Sequence, residues 1–271
     1  MNSPIIHKIN KILNFYFVEI SLLDRIRLFQ NHLKHSLKIS HKKFIRRESK
    51  QIKKIFVISL HFRNDRKKII AEQFNNLDLG FQFIEGVIWN HDLKSFSKFS
   101  RGTIKNISPG ALGCAEAHIK TLNIIKNSPD GLYIVLEDDV KLMDNFKKDV
   151  TYISSNFPKD SDIFFLGTWN KRKRDLDFSI EETIFRSFNP RKGMYAYIIT
   201  PKSAEKILKL ITPFKLFYGG IDTKIGILVR KKKIIAYQSL PTLVEVNFNL
   251  SSNIYNPSDK NKLLHSATIK F

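Results

Sequence analysis

From residue 55 onward, short continuous apolar runs alternate with longer stretches in which apolar residues recur every three or four positions. The run "IFVISL" (Ile55 to Leu60) is apolar almost throughout and rich in β-branched residues, which predicts a strand buried on both faces. Arg63 to Leu79 predicts a helix with Asn64 or Asp65 as its cap and Ile69, Ile70, Phe74 and Leu77 on one side, closed by Gly80. "FQFIEGVIW" (Phe81 to Trp89) predicts a second strand. A strand, a helix and a strand within about 35 residues form a βαβ unit with a right-handed crossover. Ser108 to Asn127 opens with turn residues and continues as a helix, while Leu132 to Val140 and Asp162 to Trp169 are further strands. Gly193 to Thr200 predicts a strand and Pro201 to Ile211 a helix with Pro and Ser near its start. No internal repeat is visible. The alternation predicts an α/β domain built on a mostly parallel sheet.

Upstream the pattern changes. Ile5, Ile9, Ile12, Tyr16, Ile20 and Leu23 recur at helical spacing while Lys8 and Lys11 lie elsewhere, which predicts an amphipathic helix. Its continuous apolar part, Ile12 to Val18, is far shorter than the about 20 residues needed to cross a bilayer. No small-residue cleavage site follows a continuous apolar region, so no cleavable signal is expected. Two readings stay open: a helix packed on its own domain, or an interfacial helix drawn to anionic lipid with the help of "HKKFIRR" (His41 to Arg47). The polar, basic stretch Ser40 to Lys54 divides a basic helical appendage, residues 1–54, from an α/β domain, residues 55–271.

Composition adds three constraints. At 271 residues and 42% hydrophobic, the chain can bury a sizeable core. Its net charge of +21 suits phosphate-rich partners, and +10 of it falls in the first 54 residues, where thirteen Lys and Arg face Glu19, Asp24 and Glu48. Charge alone would suit a nucleic-acid binder. However, there is no helix-turn-helix, zinc-finger or RNP signature, and aromatic–basic interleaving is confined to short stretches, so no nucleic-acid partner is expected. The lone Cys114 cannot close an intramolecular disulfide, which points to a reducing compartment and a cytoplasmic chain.

The candidate chemistry lies in "YIVLEDDV" (Tyr133 to Val140), where Glu137, Asp138 and Asp139 end an apolar strand. In open α/β sheets ligands collect beyond the carboxyl ends of strands. Alternation would set Glu137 and Asp139 on one side and Asp138 on the other. Two oxygen-bearing groups on one side suit a hard cation, Mg²⁺ or Mn²⁺, leaving other positions to water and a substrate phosphate. Adjacent carboxylates are otherwise costly to bury. The plainer alternative is a solvated turn that caps the next helix.

Taken in order, "VISLHFRNDR" (Val57 to Arg66), "SPGALGCAEAH" (Ser108 to His118), "YIVLEDDV", "FFLG" (Phe164 to Gly167), "GMYAYIITPKSAEKIL" (Gly193 to Leu208) and "PTLVEVNFNLSSNI" (Pro241 to Ile254) form a recognisable series. It resembles the successive blocks of glycosyltransferase family 25, the bacterial lipooligosaccharide β-galactosyltransferases and their collagen-modifying relatives. The specific elements are Gly110, Gly113, Cys114 and His118 in one block and the Glu-Asp-Asp that follows. The resemblance implies a GT-A type nucleotide-sugar-binding domain, with the acidic motif in the part of a D-x-D signature. On that analogy Asp139 binds Mn²⁺ or Mg²⁺ on the diphosphate of a UDP-sugar, and Glu137 or Asp138 supports the metal shell or the ribose. Asp65 and Arg66 match the family's Asp-Arg pair beyond the first strand, and His118 its histidine, which binds the donor or supports the acidic motif.

An inverting transfer also needs a base for the acceptor hydroxyl. Asp222, after the glycines of "YGGID" (Tyr218 to Asp222), is the candidate, and an ordinary helix-start role stands beside it. The expected activity is transfer of a hexose, galactose first, from a UDP-sugar to a lipooligosaccharide or other glycan. The appendage would then hold the enzyme peripherally at the cytoplasmic face of the inner membrane. Two family positions differ: Ala111 stands where relatives often carry Glu, and Ala117 where they carry Ser. These losses keep open a member that binds without catalysing. The basic loop Asn170 to Arg174 is either a solvated charge run or a phosphate contact, and of Tyr195 and Tyr197 one lines the sugar site while the other packs.

Overall fold

The computed structural model describes residues 46–89, 108–169, 176–181, 183–190, 193–213 and 220–250. The amphipathic segment of the appendage and the basic loop Asn170 to Asp175 lie outside the described residues.

The first long strand, β2 (Ile52–Ser59), begins three residues before the apolar run that announces it. Its polar start, Lys53 and Lys54, precedes the pairing with β3 (Gln82–Glu85), which begins only at Phe56, so those lysines stay exposed. Ahead of it, β1 (Arg47–Glu48) pairs antiparallel with β6 (Phe157–Pro158). Between β2 and β3 runs α1 (Asn64–Asn76), completing the expected βαβ unit with parallel strands. Its ends differ from expectation. Arg63 occupies the N-cap without a side-chain cap bond, and Asp78, at φ 51°, takes the left-handed conformation that ends the helix region before Gly80 is reached.

Helix α2 (Pro109–Lys126) starts where the turn chemistry puts it, with the Ser108 hydroxyl accepting the Ala111 N–H at 3.3 Å and Pro109 at the first position. The chain continues through β4 (Leu132–Glu137), β5 (Val140–Leu142), α3 (Phe146–Ser155) and β7 (Ile163–Phe165). Next come β8 (Leu176–Glu181), β9 (Ile184–Ser187), β10 (Ala196–Ile199) and α4 (Pro201–Ile211), capped by the Thr200 hydroxyl. α5 (Ile221–Arg230), β11 (Ala236–Ser239) and β12 (Val244–Val246) complete the described elements.

Among the described residues the main sheet has eight strands in the order β3-β2-β4-β10-β7-β11-β9-β8. The parallel order expected from the alternating pattern holds for β3-β2-β4 and for β7-β11. β10 runs against both β4 and β7, and β9 against β8 and β11, so the sheet as a whole is mixed.

Inside the apolar runs a period of two sorts side chains onto two faces. Phe56, Ile58, Tyr133 and Val135 join the core under α2, α4 and α5, whereas Ile55, Val57, Ile134 and Leu136 join the core under α1 and α3. Helices on both faces make the sheet the middle of three layers. Continuous hydrophobicity in β2 and β4 is thus a requirement of burial on both sides. The strand ends are where polar groups return: Ser59 closes β2 and Glu137 closes β4.

Candidate functional site

A cavity of about 380 Å³ opens beyond the carboxyl ends of β2, β3 and β4. One wall is the end of β2 with Arg66 from α1; the next is the segment Gly86 to Trp89 after β3. The first turns of α2 and the acidic turn Glu137 to Asp139 close it. α2 reaches the segment after β3 only because residue 113 is glycine, since a Cβ there would run into the Val87 carbonyl oxygen. Phe62 and Ile88 are exposed apolar residues of the lining, 52% and 54% accessible, and present flat hydrophobic surface to whatever enters.

β4 stops at Glu137, whose N–H donates to the Tyr195 carbonyl at 2.9 Å, and the chain turns through Asp138 and Asp139 into β5. The turn is pinned from outside by the Asn247 N–H, which donates to the Asp139 carbonyl at 2.7 Å. Because the strand ends there, its alternation does not carry on through the triplet. Asp138 and Asp139 swing together onto α1, where Arg66 Nη1 lies 2.7 Å from Asp138 Oδ1 and 3.0 Å from Asp139 Oδ2. The Ser59 hydroxyl donates to the other Asp138 oxygen at 2.7 Å. Glu137 turns to α2 instead: its Oε1 lies 3.2 Å from His118 Nε2 and accepts the Cys114 thiol at 3.6 Å. The other ring nitrogen of His118 is 3.2 Å from the Tyr197 hydroxyl. An ionised Glu137 can only accept, so Nε2 carries the proton, and in the neutral ring Nδ1 accepts from Tyr197.

The charges are unevenly compensated. Burial opposes ionisation of Glu137, yet His118, Cys114 and Arg66 together outweigh it and hold its pKa below the ordinary value. Asp139 goes the other way: burial first, then the Glu137 and Asp138 charges, push it up to about 7 against the pull of Arg66. Burial also raises the Cys114 thiol, with Glu137 and Asp222 adding to it. Around the three carboxylates stand the Arg66 guanidinium, the His118 ring and the buried Arg63, whose charge reaches Asp138 and Asp139. A turn that is open to a cavity and offers carboxylate oxygens has the donor set that a hard divalent cation takes. The two expected ligands stand on different partners here, Asp139 on Arg66 and Glu137 on His118 and Cys114.

Five of the residues singled out in the sequence therefore meet at one place: Arg66, His118, Glu137, Asp138 and Asp139 all line the cavity. Asp65 does not. It is 57% exposed and pairs with Arg63 at 2.8 Å, which, through that hydrogen bond above all, holds its carboxyl down at about 2. The expected Asp65–Arg66 pair is split, with Asp65 turned to Arg63 and Arg66 to Asp138. Asp222 sits in the first turn of α5, where its Oδ1 accepts the Met194 N–H at 2.8 Å. It is not part of the cavity lining, but its charge reaches both Cys114 and Tyr195. Tyr197 is fully buried against His118, and Tyr195 is nearly so. Ser59 was not anticipated; a lone polar residue within the apolar run Ile55 to Leu60 was the available signal.

The sequence model of glycosyltransferase family 25, described as an LPS biosynthesis protein family, matches residues 52–222, a span that runs from the first residue of β2 to Asp222 and encloses every residue of the cavity lining. The chain belongs to glycosyltransferase family 25. Two relatives are similar over part of their length. A candidate glycosyltransferase of Haemophilus influenzae is 24% identical over 58% of this chain and 57% of its own. A candidate glycosyltransferase of Acanthamoeba polyphaga mimivirus is 26% identical over 42% of this chain and 37% of its own. The matched region thus spans about half or less of each relative's length. A solved glycosyltransferase involved in glycosylation of the major capsid of PBCV-1 aligns with 58% of this chain and 64% of its own at 16% identity. Its TM-score is 0.29, too low to bear on the fold. Among the described residues, no helix is long and apolar enough to cross a membrane.

Proposed function

We propose that this family 25 chain transfers a hexose, galactose first among the candidates, from a UDP-sugar to a lipooligosaccharide or other glycan acceptor, with inversion and with help from Mg²⁺ or Mn²⁺, on a GT-A type domain. The observation that carries the reading is the acidic turn at the end of β4, with Asp139 pushed up to about 7, on the wall of a cavity of about 380 Å³. A carboxylate that is costly to ionise where it stands is stabilised by a partner that brings positive charge.

The residues divide the work. Gly110 at the start of α2 lets the donor approach backbone, and Phe62 with Ile88 offer apolar surface to a base. Arg66 is anchored on Asp138, which keeps a guanidinium beside the place where a diphosphate would lie. Asp139 and Glu137 would hold the cation, which supplies Lewis-acid stabilisation of the charge that develops on the departing UDP. Asp222 takes the proton as the acceptor oxygen forms its bond to the anomeric carbon and the bond to the β-phosphate oxygen breaks. Its Oδ1 accepts the Met194 N–H, which fixes the carboxylate at the start of α5.

The test is donor binding and turnover on the full chain. Wild type is expected to be thermally stabilised by a UDP-sugar with Mn²⁺ and to transfer the sugar to a lipooligosaccharide core. Asp222→Asn should keep the stabilisation and lose about 10² to 10⁴ in turnover. Asp139→Asn should lose the metal-dependent part of both. Donor binding without turnover in wild type would leave a binding protein, consistent with Ala111 and Ala117. No response to any nucleoside-diphosphate sugar would end the proposal.

A further inference from the structure

Cys114, His118 and Glu137 bring three different donor atoms within 4.8 Å of one another, and all three side chains line the cavity. The arrangement has a local cause. Cys114 and His118 are four residues apart on α2, so both project from the same face of the helix, and β4 ends opposite that face with Glu137. We propose that these three residues form a site for a borderline-soft divalent cation, Zn²⁺ above all, with its fourth position open to the cavity. The site goes beyond the transferase reading and does not rest on it, although it shares Glu137 with the proposed hard-cation site.

Thiolate, imidazole and carboxylate are the ligand types zinc takes, and three protein ligands with one open position is the pattern of an accessible zinc centre. Two of the three edges between the donor atoms agree as well, and the third lies within 4.8 Å. Bonds of about 2.0 Å to oxygen and nitrogen and about 2.3 Å to sulfur, at tetrahedral angles, put the O···N edge at about 3.3 Å and the O···S edge at about 3.5 Å. The observed edges are 3.2 Å for Glu137 Oε1 to His118 Nε2 and 3.6 Å for Glu137 Oε1 to Cys114 Sγ. The ring is supported from behind, as metal-bound histidines usually are, because Nδ1 faces the buried Tyr197 hydroxyl at 3.2 Å. A hydroxyl both donates and accepts. Tyr197 therefore serves the ring in the tautomer that bonds Glu137 and in the one that turns a lone pair at Nε2 towards a cation. Mg²⁺ and Mn²⁺ prefer the all-oxygen surroundings of Asp139, so the two kinds of ion are told apart by sulfur and nitrogen.

The experiment uses metal-stripped full-length protein titrated with Zn²⁺ against a chromophoric chelator, and with Co²⁺ as a spectroscopic probe. The expected result is one tight Zn²⁺ per chain and a Co²⁺ complex with thiolate-to-cobalt charge-transfer absorption. Cys114→Ser should abolish that band. Tyr197→Phe, which keeps the ring volume, should weaken Zn²⁺ by about 10- to 100-fold. Asp139→Asn should leave the Zn²⁺ site intact while removing the Mn²⁺ response, which separates this site from the transferase reading. The proposal is overturned if folded wild type takes up no stoichiometric Zn²⁺, if its Co²⁺ complex lacks the thiolate band, or if Asp139→Asn loses Zn²⁺ as readily as Cys114→Ser. Should Cys114→Ser fail to fold, the wild-type Co²⁺ spectrum and the Tyr197→Phe affinity decide.

Discussion

Glu137 and the pair Asp138–Asp139 leave the same strand one after another, yet opposite walls of the cavity hold them by different means. On the α1 side the aspartates meet a permanent charge, Arg66, buried to 5% beside Asp138 at 8%. On the α2 side Glu137 meets groups whose protons can move, the His118 ring and the Cys114 thiol, with Tyr197 behind. A guanidinium stays charged throughout the accessible pH range, so the α1 wall fixes the turn in place. Imidazole and thiol can give up a proton to make room for a cation, so the α2 wall can change state. One acidic triplet is thus held on one wall by a fixed charge and on the other by groups that carry exchangeable protons.

The contrast can be broken most forcefully at Arg66. Arg66→Met should cost about 3–5 kcal/mol in urea unfolding, because it strands a buried aspartate. A cost below about 1 kcal/mol, the range of an exposed pair, would show that the α1 wall does not depend on charge.

Next in size, and opposite in sign, is Asp139→Asn. The folded protein holds the Asp139 proton up to about 7, whereas the unfolded chain releases it near 3.8, so more protons are bound in the folded state between those values. This contribution makes metal-free protein lose stability as pH rises from about 4 to about 7, on the order of 2 to 4 kcal/mol. Burial sets it first, with the Glu137 and Asp138 charges also opposing ionisation and Arg66 favouring it. Asn at 139 should flatten that slope in denaturation measured across the window, and stabilise the protein at neutral pH while activity is lost.

On the α2 side packing should dominate. Gly113→Ala forces a methyl against the Val87 carbonyl and should cost about 1–3 kcal/mol with no change in pH dependence. The smallest effect belongs to Asp65, whose lowered pKa adds stability that is present above 3.8 and fades as pH falls towards about 2. Asp65→Asn should be nearly silent at neutral pH and show only a shallower loss in acid, as expected of a carboxylate that is 57% exposed although its partner Arg63 is buried.

The legible parts of the fold were those governed by local rules. Ser108 and Pro109 announced α2, Pro201 and Ser203 marked α4, and the apolar runs marked β2 and β4. The βαβ unit followed from their order. The elements not anticipated are mostly short, such as β5, β6, β9 and β12, with two to four residues each, too brief to carry a period. The antiparallel insertion of β10 between β4 and β7 was equally hidden, because strand direction depends on the path of the connections rather than on the strand's own residues. At the site, residue types and spacing singled out Arg66, His118 and the acidic triplet, and all five line one cavity. The grouping within that set was another matter.

By itself, then, the sequence determined which segments could be buried, where two helices begin, and which side chains carry chemistry, because those follow from hydrophobic period, caps and side-chain type within a few residues. Only the tertiary structure decided that Asp138 and Asp139 turn to Arg66 while Glu137 turns to Cys114 and His118. That choice depends on where β4 stops and on which helix faces its end. Such distances join residues far apart in the chain, and no local rule encodes them.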